Sequence, residues 1–481
     1  MRPDLVALTI IAVIVFGTIV FALLAVRRFR MDPHEYIVGS RSFGALLLWI
    51  LLAGEIYTSF TFLGAAGWAY GKGAPAFYIL AYGTVGYVIG YFYLPHVWRI
   101  GKERGLLTWP DFLIDRYGSK TLGVGVAILQ FFLTVPYVTL QLTGLQILLT
   151  IAGYGHYNAT IAVSVSFLLI ALFVFTTGLR GAAWASVVKD TLVLGAVLFA
   201  GIALPIHFFG SPAAMIDRVL QLHPHWMTLN TGTANYGTVW YVSTVLLTSI
   251  GFFMGPANAQ SVYSAKDAQT IRRNMMFLPL YQLVVIFVLL AGFTALVVVP
   301  GLKGTKADQS FVLLLQHYFP AWVLGLVAGA GCLAALLPAS VLLLGAASIF
   351  SKNVLTDALG VATTDRSRIT WTRALVLICA VLALVLWIFA KTSLVDLLLF
   401  YYNGITQLFP GIILALLWPR VSAWAVGAGL LTGEILAAYA LHSSVGPWGI
   451  NPGLIALFAN IAVCAVVTLA MPRQVTQTST H

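Results

Sequence analysis

Apolar residues in this chain come in runs of about twenty to thirty, parted by short polar turns, the length needed to cross a bilayer's hydrocarbon layer as a helix. Hydropathy and Pro/Gly punctuation predict thirteen spans, at approximately 5–27, 43–70, 75–98, 121–152, 158–177, 184–208, 237–258, 275–300, 320–350, 370–390, 394–418, 421–442 and 451–471. The expected class is an all-α polytopic membrane protein. The first run is too long for a signal-peptide core and has no small-residue cleavage site before Arg27, so it is read as a retained helix.

Two runs are interrupted. LLAGEIYTSFTFLGAAG (51–67) sets Gly54, Glu55, Tyr57, Thr58 and Ser59 inside an apolar stretch. A carboxylate in hydrocarbon costs several kcal/mol unless it is paired, protonated or wet, so Glu55 marks a functional site or a neutral carboxyl bonded within the bundle. GFFMGPANAQ (251–260) weakens a second helix through Gly251, Gly255 and Pro256 and adds the polar Asn258. If the first span is peripheral, the next ten form two sets of five that enter from opposite sides, and each set opens with an interrupted helix, as an inverted repeat requires. The expected division is 1–42 (first helix and cytoplasmic loop), 43–208 and 237–418 (the two five-helix repeats) and 419–481 (two peripheral helices and a tail).

Orientation follows from the basic residues. With the N-terminus outside, 19 Lys and Arg fall on the cytoplasmic side and 6 outside, and Lys189, the last of the 26, stays within a span. An N-outside, C-inside topology is therefore expected. Hydrophobic residues make up 60% of the 481 and charged ones 9%, which excludes a soluble domain with one core. The net charge of +11 lies in short loops, where topology accounts for it, so no nucleic acid partner is expected. Cys332, Cys379 and Cys464 are far apart and suit neither a disulfide framework nor a metal site. Ten residues follow the last span and no signalling domain is expected. Oligomeric state is open.

LLTWPDFLIDRYGSK (106–120), GLRGAAWASVVKDTLVL (178–194) and AQSVYSAKDAQTIRRN (259–274) resemble, in order, loop and helix motifs of the sodium:solute symporter family, over about 36–420. The resemblance implies a LeuT-like 5+5 core, alternating access, and a substrate site at the two broken helices. Mapped onto this chain, that site takes in Glu55, Tyr57, Thr58, Ser59, Phe60, Phe253 and Asn258, with Tyr402 and Gln407 from DLLLFYYNGITQLFPG (396–411). Amides freed at Thr58 to Phe60 and around Ala257 suit an anionic carboxylate, and carbonyls freed near Gly54 and Tyr57 suit a cation. GEIYTSFTFLG together with LLPAS looks most like the monocarboxylate-carrying branch; a proline-like amino acid or pantothenate is the alternative.

The ion site departs from the family's pattern. The matching first-helix positions are Gly54 and Tyr57, and Ala334 falls at the conserved carbonyl, but Leu337 and Pro338 stand where two hydroxyls are expected. A two-residue slip would bring in Ser340. Lys189, about 7.5 Å into its helix, stands where the family usually has Thr. It either snorkels to the interface or places an ammonium in the vacated cation site. Asp190 matches a family carboxylate of the cation pathway; being consecutive, the two side chains point about 100° apart and are not expected to neutralise each other. On this reasoning the coupling ion is expected to be a proton, with sodium the alternative, and no other cofactor. A secondary transporter importing a small organic solute across the cell membrane, in a bacterium the inner membrane, is therefore expected. A channel would want a repeated filter segment and an enzyme a nucleophile with its base or a metal motif, and the sequence displays neither.

Overall fold

The computed structural model describes residues 2–27, 33–229, 236–361, 364–389, 392–439 and 445–471. Among these, nine helices are long and apolar enough to cross a membrane; a tenth span is the pair Thr238–Gly251 and Pro256–Ser264, bent by 53°. The chain is an all-α, multi-pass membrane protein.

The helices differ from the thirteen predicted runs at two places: Ala45–Gly54 and Ala423–Tyr439 are shorter than a bilayer-spanning helix. The runs expected at 158–177 and 184–208 are two helices joined without a loop within Ala159–Phe209, because the chain turns within a single residue, Gly178, at φ 61° and ψ −159°. Only a residue without a Cβ takes that conformation cheaply, and Tyr36 packs within 2.7 Å of where a Cβ would stand. Of the basic residues used for orientation, Arg28, Arg30, Lys391 and Arg473 lie outside the described residues.

Burial ranks the helices. In the most apolar window of Ala321–Thr356, 94% of residues are buried, against 22% for Pro3–Val26, so the former is the bundle's centre and the latter lies at its edge. The first broken helix (Ala45–Gly54, then Ala65–Lys72) is tied to the end of the second by Phe43, whose amide donates to Ser264 O at 3.0 Å and whose carbonyl accepts from Lys266 N at 3.1 Å.

The family-like motifs have visible causes. Thr108 and Asp111 form a reciprocal capping box that starts the helix Trp109–Tyr117. The other oxygen of Asp111 accepts from Lys352 Nζ at 2.6 Å and Asn353 Nδ2 at 2.5 Å, which pins that helix to the end of the central one. Arg180, just past the Gly178 turn, pairs with Glu35 and donates to Gly39 O at 3.1 Å and Ser42 Oγ at 2.7 Å.

Candidate functional site

The first break begins where the helix tightens after Gly54. Glu55 N donates to Leu52 O at 3.2 Å and Ile56 N to Ala53 O at 3.0 Å, after which regular helix stops until Ser59. The amides expected to meet an anion are already used: Thr58 N donates to Thr61 Oγ1 at 2.9 Å, Ser59 N to Gln141 Oε1 at 3.1 Å and Phe60 N to Thr58 Oγ1 at 3.2 Å. The hydroxyls of Thr58 and Thr61 at the break and the Gln141 amide from the helix Lys120–Ala152 satisfy it, so this end does not offer itself to a carboxylate.

The carbonyls are used as well. Lys189, fully buried, donates from Nζ to Gly54 O and stands 3.5 Å from Tyr57 O. Snorkelling is thereby excluded in this structure. Its ammonium also lies 3.1 Å from Asp190 Oδ1, which corrects the expectation that the neighbours could not neutralise each other. The 100° separation holds for Cβ directions, but lysine's four-carbon stem curls back over its neighbour. Ser186 joins the cluster, its Oγ 3.2 Å from where a Cβ on Gly54 would stand.

Of the hydroxyl donors sought on the central helix, Ser340 spends its hydrogen bond on Leu337 O, one turn back, at 2.6 Å. Ala334 and Leu337 are buried apolar side chains, and Pro338 faces the cavity described next.

At the second break the chain passes from Gly251 to Pro256. A Cβ on Gly251 would meet Thr406 Oγ1 at 2.0 Å and one on Gly255 would meet Tyr401 Oη at 2.2 Å, so both glycines are fixed by close approach of the helix carrying the tyrosines. Two carbonyls released here are taken by side chains from elsewhere in the bundle: Trp109 Nε1 donates to Phe253 O at 3.0 Å and Gln130 Nε2 to Met254 O at 2.7 Å.

The two breaks open on one cavity. Glu55, Thr58, Phe60, Asn258 and Tyr402, all expected at a binding site, line it, and so does Pro338. Four expected residues lie off it. Tyr57 turns its ring onto Tyr281, 5.1 Å between centroids, and Ser59 packs against Gly144. Phe253 packs against Gly90 while its neighbour Phe252 faces the cavity. Gln407 is bound to Asn403 O and Gly453 O, toward the C-terminal helices. Tyr401, beside Tyr402 in the polar stretch 396–411, lines the cavity too, as do Tyr82 and Tyr137, which the sequence did not single out; a tyrosine inside an otherwise apolar span is the signal that could have found them. Glu55 is held by Ser261, whose Oγ donates to Oε1 at 2.6 Å across the two breaks.

Comparison with known proteins agrees with this architecture. The model of the sodium:solute symporter family matches residues 36–433. The uncharacterized symporter YhjB of Bacillus subtilis is 36% identical over 95% of this chain and 96% of its own length. The monocarboxylate transport permease protein of Rhizobium johnstonii is 29% identical (91% and 90% covered), and the sodium/pantothenate symporter of Escherichia coli 24% (92% and 91%). A solved sodium-coupled sialic acid symporter in a substrate-bound, outward-open state superposes with a TM-score of 0.81 at 14% identity, covering 97% of this chain and 98% of that one, which establishes a shared LeuT-like fold. These relatives are transporters, not enzymes. The expectation of a proton as coupling ion is overturned: the family's description and the pantothenate relative's name both specify sodium, and two missing hydroxyls at one position do not outweigh relatedness along the whole chain. From its matched span of residues 36–433, the chain belongs to the sodium:solute symporter family.

Proposed function

We propose that this protein is a sodium-coupled symporter that imports a small organic solute by alternating access, with thirteen spans arranged as an inverted repeat and its N-terminus outside. The observation that carries this reading is that two interrupted helices open on one cavity with a carboxylate and several hydroxyls. Monocarboxylate and pantothenate, the solutes named for two relatives, share a carboxyl group, and we take that group as common to the solute here.

The ion chemistry belongs at the first break, among Gly54 O, Tyr57 O, Asp190 and Ser186 Oγ. In this conformation the Lys189 ammonium occupies Gly54 O and lies beside Asp190. A second cation cannot share those oxygens, so sodium and the ammonium compete for them. Coupling then arises from the difference between conformations in which one or the other is bound.

Purified protein in liposomes tests the reading. Uptake of a labelled carboxylate solute should saturate, show counterflow, and rise when an inward sodium gradient is imposed. Uptake that is unchanged when choline replaces sodium would refute sodium coupling.

A further inference from the structure

The cavity between the breaks is lined by a carboxylate, Glu55, that forms no ion pair among the described residues, although the charge of Lys189 acts on it from behind the first break. Glu55 is half-buried because its side chain faces that space, and Ser261 Oγ holds one of its oxygens. No Lys, Arg or His is among the residues lining the cavity; the other polar ones are tyrosines, Thr58 and Asn258, all neutral. The ammonium of Lys189 is committed to Gly54 O and Asp190, and among the described residues Glu55 forms no ion pair.

A second feature faces the same space. The second broken helix restarts at Pro256 as a nine-residue helix whose N-cap, Gly255, supplies no side-chain cap, and Ala257 and Asn258 in its first turn line the cavity. Amides and dipole there favour a negative group. At the first break the corresponding amides are already satisfied, so the anion-receiving end is this one. Asn258 and Ser261 are three residues apart on one half-helix, a rise of about 4.5 Å, so the anion-receiving end and the Glu55 carboxylate are within reach of one small molecule.

A solute that is only an anion would enter with its charge facing Glu55. One that carries an ammonium beside its carboxylate satisfies both ends. We propose that Glu55 is the specificity-determining residue of the cavity and receives the cationic amino group of a zwitterionic solute, whose carboxylate sits at the helix start of Ala257 and Asn258. The inference rests on the reading of this cavity as the transported solute's site.

The test uses matched acids that differ only in the amino group: L-alanine against L-lactate, L-proline against tetrahydrofuran-2-carboxylate, and β-alanine against 3-hydroxypropionate. Binding to the purified full chain is followed in sodium by thermal stabilisation, and flux by uptake into liposomes. At least one amino member should bind about tenfold or more tightly than its partner, a difference set by one charged contact. Glu55→Gln should remove most of that preference while leaving the deaminated acid's affinity unchanged or improved, and Glu55→Asp should keep part of it. Should Glu55→Gln not fold, Ser261→Ala, which releases the carboxylate without removing it, should still narrow the preference. Several results overturn the proposal: no amino member binding, equal binding of both members, or a preference that survives Glu55→Gln. A Glu55→Gln effect confined to the sodium concentration for half-maximal uptake would assign the carboxylate to the ion instead, and also overturns it. Sodium-stimulated flux of a deaminated acid with no preference for its amino partner would end this inference and leave the transport function standing. No sodium-stimulated flux of any member would end both.

Discussion

Removing the Lys189 ammonium should unseat the first break and uncover a sodium site. Lys189→Ala leaves Asp190, only 7% exposed, without its counter-charge, and Gly54 O without its donor. At an effective dielectric of about 20, charges 3.1 Å apart attract by about 5 kcal/mol, and breaking buried pairs costs about 3–5 kcal/mol. At about 2 °C per kcal/mol, Tm in choline chloride should fall by roughly 6–10 °C. Asp190→Asn in the same background removes the stranded charge and should recover at least half of the loss, which a double-mutant cycle isolates. Sodium offers a second readout. With the ammonium gone, a sodium ion can take the oxygens it held, and at ten times its Kd it would return about 1.4 kcal/mol, or roughly 3 °C. The assay is thermal unfolding of wild type and variants in matched sodium and choline chloride. A Lys189→Ala Tm within about 2 °C of wild type, or a sodium response no larger than wild type's, would refute this account of the cluster.

Two further substitutions separate the cavity from its surroundings. Gly255→Ala places a methyl 2.2 Å from Tyr401 Oη and forces that ring out of position; overpacking of this kind costs about 1–3 kcal/mol, and solute uptake should drop about tenfold with folded protein retained, read by transport alongside size-exclusion chromatography. Ser340→Ala should leave the sodium concentration for half-maximal uptake within about twofold of wild type, because that hydroxyl already bonds Leu337 O; a larger rise would place Ser340 at the ion.

What the sequence determined by itself is local. Span length follows from the extent of each apolar run, so the helical membrane class was legible, and so were the two interruptions, since Gly54 with its hydroxyl neighbours and Gly251 to Pro256 weaken a helix whatever surrounds it. Glu55, Thr58 and Asn258 could be named because a polar group in hydrocarbon needs a reason. Which way neighbours face was decided only by packing. Where regular helix stops, the 100° step per residue no longer applies, so Tyr57 turned to Tyr281 and Ser59 to Gly144 while Glu55 and Thr58 faced the cavity. Gln407 sits in the tight turn Thr406–Leu408, and besides Asn403 O one turn back its amide reaches Gly453 O, 46 residues on at the start of the helix Pro452–Ala470, which no local pattern carries. The same holds for Lys189: its depth was visible in sequence, but its contact with Gly54 spans 135 residues and exists only because two helices meet. An ammonium's partners are fixed by three-dimensional proximity, and a chain of spans joined by short loops encodes that proximity in how its helices pack together.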